Sequence, residues 1–100
     1  MNYKINTASD EMQIELNGRL TFADYASFKE LTELFIEHNP KNCLLNLSNL
    51  EFIDSAGLGM LLIARDKMRM REGDVTLKGA QGQVKKMLDL GHFDSLFKVI

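Results

Sequence analysis

Residues 52–59 read Phe52-Ile53-Asp54-Ser55-Ala56-Gly57-Leu58-Gly59. Phe52 and Ile53 continue an apolar run that begins at Leu50. Asp54 and Ser55 follow, and both side chains readily accept hydrogen bonds from the free N–H groups of a helix's first turn. The spacing predicts a helix that starts at Asp54 or Ser55, runs to about Glu72 and is ended by Gly73. Arg65, Lys67, Arg69 and Arg71 crowd its C-terminal half, where cations complement the helix dipole. Gly57 and Gly59 sit in the first turns, although glycine costs about 1 kcal/mol against alanine inside a helix. Two physical reasons account for such a pair. One is the close approach of another molecule, and the other is tight packing of the helix on its own sheet.

The flanking sequence supplies the rest of an α/β pattern. Tyr3, Ile5 and Thr7 alternate with polar residues, as do Met12, Ile14 and Leu16, which predicts two half-buried strands. Ser9-Asp10-Glu11 between them reads as a hairpin turn. Thr21-Phe22-Ala23-Asp24 has the form of a capping box. Tyr25, Phe28, Leu31 and Phe35 then recur at helical spacing, with Glu30, Glu33 and Glu37 on the wet side, until Asn39-Pro40 stops the helix. Cys43 to Leu47 reads as a central strand buried on both faces, with Cys43 a core residue. Leu50, Phe52 and Ile53 lead into Asp54. Val75 and Leu77 mark a further strand, Val84, Met87 and Leu88 a short helix ending at Gly91, and the apolar tail Phe93 to Ile100 a final edge strand. The order ββαβαβα(β) predicts one α/β domain over residues 1–100, a mixed sheet of four to five strands with helices packed on it.

Composition removes most functional classes. A chain of 100 residues, 45% hydrophobic and 26% charged, makes one modest core and leaves no room for a lidded cofactor domain. One proline, one cysteine and seven glycines exclude collagen-like and disulfide-rich proteins. A net charge of −2 argues against direct nucleic-acid binding through charge alone. The charge divides, however: residues 1–54 carry −5 and residues 55–100 carry +3, so the boundary falls at Asp54-Ser55. His38 and His92 lack ligand spacing with any Cys or carboxylate cluster, and no phosphate-binding glycine loop or GxSxG is present. The expectation is a non-enzyme without metal or cofactor. The longest apolar run, Ala56 to Ala64, is nine residues, too short for membrane insertion, and with a lone cysteine this predicts a cytoplasmic protein.

Ser55 has two readings of its own. A serine at this position is an N-cap worth about 1 kcal/mol. It is also a favourable place for a phosphate, because free N–H groups and the positive end of the dipole stabilise added charge, although Asp54 opposes it.

The stretch LSNLEFIDSAGLGMLL, residues 47–62, resembles the signature of STAS domains, the family of anti-sigma factor antagonists and sulfate-transporter tails. That signature is a short apolar strand followed by Asp-Ser-[Ser/Thr/Ala]-Gly-Leu-Gly at a helix start. Asn46-Leu47, Leu50 and the ending VKKMLDLGHFDSLFKVI, Val84 to Ile100, are similar to the family too. The resemblance implies a bacterial partner-switching regulator. In such a regulator a serine kinase that doubles as the anti-sigma factor would phosphorylate Ser55 and thereby lose its grip, and a serine phosphatase would reset the switch. It implies partner contacts through Asp54, Ala56, Gly57, Leu58, Gly59 and Met60, with unmodified Ser55 capping the helix. Two features depart from the pattern. Many members have Glu-Leu-Asp where this chain has Arg19-Leu20-Thr21, and many add a C-terminal helix beyond the position of Ile100. The alternative within the family is a transporter subunit docking on its ATPase, a reading that Ala56 permits and Gly59 disfavours. Outside it stands a receiver-like domain phosphorylated on Asp54, for which the first strand lacks the required acids.

Overall fold

The N-terminal alternation becomes an antiparallel pair. In the computed structural model, which describes residues 1–8 and 10–100 and the side chains of all these except Ala8 and Ile36, β1 (Asn2–Ala8) pairs with β2 (Glu11–Leu20). Tyr3 lies opposite Leu16 and Ile5 opposite Ile14. Directly opposed residues share a face, so the β1 apolar set lands on the buried side with Met12, Ile14 and Leu16. The turn expected at Ser9-Asp10-Glu11 falls in part outside the described residues.

The remaining elements are α1 (Tyr25–His38), β3 (Asn42–Asn46), β4 (Leu50–Ile53), α2 (Ser55–Arg69), β5 (Asp74–Lys78), α3 (Gly82–Leu90) and β6 (Lys98–Val99), with short 3-10 turns at Phe22–Asp24 and Phe93–Ser95. The mixed sheet runs β1-β2-β3-β5-β6, parallel from β2 onward, and β4 lies beside the far end of β2. This is the expected α/β domain, with six strands among the described residues where four to five were expected. The additional strand is Leu50–Ile53, which the apolar pattern presents only as a lead-in to Asp54. The chain turns between the two strands, where Leu50 N–H donates to Leu47 O at 3.1 Å and Ser48 N–H to Asn46 Oδ1 at 3.0 Å.

Gly18 makes this arrangement possible. Its φ of +89° lies in the left-handed region that glycine alone occupies without strain. The register shifts between Gly18 and Arg19, so the first half of β2 pairs with β3 and its last residues pair with β4. Leu20 and Ile53 thereby end side by side, and Asp54 begins where they stop.

One expectation is corrected at β3. Cys43 and Leu45 are buried, but Leu44 and Asn46 are only half-buried. The core lies on one side of the sheet, and the other side presents Gln13, Glu15, Leu44, Thr76 and Lys78 to solvent, exposed or half-buried. Cys43 belongs to the core as expected, and burial first, then the nearby Glu11 charge, pushes its thiol up to about 12.

α2 carries Met60, Leu61, Ala64 and Met68 into the core against β4, β5 and α1. Its regular part ends three residues before the expected Glu72, because a Schellman turn follows: Gly73 N–H donates to Met68 O at 2.8 Å and Glu72 N–H to Arg69 O at 3.0 Å. The left-handed residue of that turn is Glu72, at φ +61°, rather than the glycine. Gly73 is required for closeness instead, since a Cβ there would meet Lys41 O at 2.4 Å. α3 anchors the end of β4 through one side chain. Gln83 Oε1 accepts from Ile53 N–H at 2.9 Å and its Nε2 donates to Ile53 O at 2.8 Å, completing the exposed edge of that strand as a neighbouring backbone would.

Candidate functional site

Asp54 is the hub at the start of α2. Its backbone is extended, at φ −104° and ψ −178°, which aims the carboxylate at the first turn. Oδ1 accepts from Gly57 N–H at 2.7 Å and Oδ2 accepts from Phe22 N–H at 3.1 Å. Asp54 N–H donates to Leu20 O at 3.2 Å. One residue therefore joins the end of β2 through its backbone N–H, and the turn before α1 and the helix N-terminus through two charge-assisted bonds to its carboxylate. This corrects the expectation that Ser55 caps the helix. Ser55 is the first helical residue, exposed, and its hydroxyl has no hydrogen-bond partner among the described residues. The occupied oxygens of Asp54 also count against a receiver-like phosphoacceptor, which needs a carboxylate free to attack phosphorus.

The two glycines divide between the two explanations for them. Gly57 is buried, and a Cβ there would stand 2.5 Å from Leu20 O and 2.6 Å from Ile53 Cγ1. It serves the packing of α2 on its own sheet. Gly59 has nothing within 4 Å of its Cβ position and is half-buried. Of the residues expected to touch a partner, Gly57 and Met60 lie beneath the surface, because the helix face they occupy is the one packed on the core. Ser55 and Ala56 are exposed, and Asp54, Leu58 and Gly59 are half-buried.

Sequence reasoning misses the aromatic neighbour. Phe22, 76% exposed, lies in a turn tied to the start of α2 by the bond from its N–H to Asp54. A phenylalanine inside a capping box, where polar residues usually stand in water, is the one available signal. Nothing local says that this turn lies against residue 54. The turn is rigid because the Thr21–Asp24 box closes. Thr21 N–H donates to Asp24 Oδ2 at 2.9 Å, Ala23 N–H to Thr21 Oγ1 at 3.4 Å, and the Met1 ammonium pairs with Asp24 Oδ1 at 3.0 Å. Where many relatives have Glu-Leu-Asp, Arg19 instead lies over the Phe52 ring at 4.3 Å, Leu20 is buried and Thr21 is the cap.

Burial pushes the Asp24 carboxyl up, but the bond from Thr21 N–H and the Met1 ammonium outweigh it and hold the group below its ordinary value. A carboxyl lowered on folding contributes stability that is complete above its unfolded value of about 3.9 and is lost as pH falls through the lower folded value. Asp24→Asn is therefore expected to flatten the acid limb. Urea midpoints measured from pH 5 to pH 2 should fall further for the wild type than for the variant.

The STAS domain family profile matches residues 2–100. The chain belongs to this family. A STAS-domain containing protein of Pseudomonas aeruginosa is 30% identical over 89 residues, covering 89% of this chain and 87% of the relative. Solved structures share the STAS fold at lower identity. A putative anti-sigma factor antagonist from Thermotoga maritima aligns with a TM-score of 0.87 at 21% identity, over 97% of this chain and 84% of the other. The phosphorylated form of the Bacillus cell fate determinant SpoIIAA aligns at 0.75 and 16%, over 99% and 91%. A sulfate transporter family protein from Wolinella succinogenes aligns at 0.77 and 22%, over 94% and 79%. The architecture is thus that of anti-sigma factor antagonists, and it occurs in a transporter-family protein as well. Among the described residues of this STAS domain, no helix is long and apolar enough to cross a membrane, and no three His, Cys, Asp or Glu side chains cluster as metal ligands would.

Proposed function

We propose that this STAS domain is a cytoplasmic partner-switching regulator of the anti-sigma factor antagonist kind, a substrate and switch worked by a serine kinase and a serine phosphatase. The observation that carries the reading is the free, exposed Ser55 hydroxyl on the first residue of a 15-residue helix whose cap is already supplied by Asp54. A phosphate there meets the positive end of the helix dipole. Asp54 repels it less than a free carboxylate would, because both Asp54 oxygens are engaged by N–H groups. Ala56, next in the chain, is exposed, and so is Phe22, whose N–H is bonded to the neighbouring Asp54. A partner that covers these apolar groups would have to desolvate the added −1.5 to −2 charges of a phosphoserine. In this reading Ala56, Leu58 and Gly59 meet the partner, whereas Asp54, Gly57 and Met60 hold the helix in place from below.

Ser55→Asp is expected to weaken the partner complex about a hundredfold, roughly 2.7 kcal/mol, while Ser55→Ala binds as the wild type does. Baits carrying each change, used on cell extract, should retain a serine kinase with the alanine form alone, and titration of that kinase gives the ratio. Equal retention by the two baits would overturn the reading. The occurrence of the fold in a sulfate transporter family protein keeps a second reading in view, a transporter subunit that docks through the same apolar patch without phosphorylation, with an ATPase as its partner. Its signature is an ATPase held by both baits.

A further inference from the structure

We propose that the groove between α1 and α2 is a docking site for an acidic amphipathic helix of a partner protein. Two adjoining concavities, of about 100 and 250 Å³, share Thr32 and Lys67 in their walls and so form one cleft. Three large apolar side chains stand along it with no cover: Tyr25 at 56% exposure, Ile63 at 39% and Met70 at 85%. The buried Phe28 and Phe35 form its floor. The ten helical steps from Tyr25 to Phe35 along α1 span about 15 Å, close to three turns of a second helix laid alongside.

Charge chooses the occupant. Lys29, Lys67 and Arg71 border the cleft, and no carboxylate lines either part of it. None of the three is paired with a carboxylate among the described residues, whereas Arg65 and Arg69 on the same stretch are paired with Asp66 and Asp74. Lys67 Nζ donates to Thr32 Oγ1 at 3.0 Å, Arg71 donates to Asn39 Oδ1, and the buried Arg71 Nε lacks an acceptor. Cations set among exposed apolar side chains call for an apolar stripe flanked by carboxylates.

A second copy of this chain offers no such helix, because the apolar stripes of α1, α2 and α3 are already turned into the core. A lipid bilayer is flat, and this surface is concave. The inference is independent of Ser55, which lines neither concavity, so its failure would leave the switch reading standing.

The probe is a fluorescein-labelled 15-residue peptide with leucine at helical i, i+3, i+4 and i+7 spacing and glutamate on its flanks. A matched peptide replaces glutamate with lysine. Anisotropy titration of the full chain at physiological salt should give saturable binding of the acidic peptide and at least tenfold weaker binding of the basic one, with backbone amide shifts confined to α1 and α2. Lys67→Met removes the charge, Ile63→Glu places a like charge in the cleft, and each is expected to weaken the acidic peptide about tenfold or more. Circular dichroism melts confirm that both variants remain folded. Equal binding of the two peptides, no binding of the acidic one, shifts on the open face of the sheet, or dimerisation of the free chain through this groove in sedimentation would each overturn the proposal.

Discussion

Gly57→Ala is expected to cost about 3 kcal/mol and Gly59→Ala to gain about 1 kcal/mol, a difference in sign between two glycines two positions apart. At Gly57 the new methyl would stand 2.5 Å from the Leu20 carbonyl oxygen and 2.6 Å from Ile53 Cγ1. The first of these is backbone at the end of the β2–β4 pairing and has no rotamer to escape into. The start of α2 would have to lift from the sheet, stretching the 2.7 Å bond between Asp54 and Gly57. Alanine's helix propensity, worth about 1 kcal/mol, recovers only part of the loss. At Gly59 the added methyl would meet nothing within 4 Å beyond the local helix backbone, so the same propensity gain is unopposed. Urea unfolding at constant m-value reads both effects. Equal signs would mean that the two glycines do not divide as described. Gly59→Ala carries a further consequence under the proposed function. Its methyl would project into the partner contact, so complex affinity should fall while the free protein becomes more stable.

Asp54→Ala is expected to destabilise the protein by about 2–3 kcal/mol, the sum of a lost helix cap and a second backbone N–H left without its acceptor. Gly57 N–H and Phe22 N–H lose their partner together, so the turn carrying Phe22 separates from α2. Ser55→Ala should stay within about 0.5 kcal/mol of the wild type, because an exposed side chain with no bonds is being trimmed. Asp54→Asn keeps one acceptor oxygen but not the charge, and its cost should fall between the two. Thermal melts of the three variants test the order. If Ser55→Ala destabilised as much as Asp54→Ala, the assignment of the cap to Asp54 would be wrong. The separation of roles also allows a switch: phosphorylation can change Ser55 without removing what holds the helix.

Local signals in the chain were strong enough to locate most elements. Alternation at Tyr3–Thr7 and Met12–Leu16, the Thr21–Asp24 capping box and the Asn39-Pro40 stop all depend on neighbours within four residues, and each holds in the structure. Leu50–Ile53 was less legible, because a strand of four residues has too few positions to show a period. β3 reads as buried on both faces because Cys43-Leu44-Leu45 is continuously apolar, yet the core covers one side of the sheet and Leu44, on the other, stays half-buried. The end of α2 was misplaced by three residues because Gly73 signals a left-handed turn in sequence, whereas Glu72 takes that conformation and Gly73 answers the approach of Lys41 O.

By itself, then, the sequence determined the class of fold, the strand-to-helix joint at Asp54-Ser55 and the family to which the DSAGLG motif belongs, because each is written in short-range order. Only the tertiary structure decided which residue caps the helix, which glycine faces the sheet and that the turn carrying Phe22 is tied to Asp54. Those outcomes rest on contacts such as Asp54 with Phe22, 32 residues apart, and Gly57 with Leu20. Such contacts exist because Gly18 bends β2 and brings the two turns together. The charge boundary at 54/55 shows the same division. Composition locates it, and the fold turns its basic side into a helix whose exposed first residue is Ser55 and whose far end flanks a groove without carboxylates.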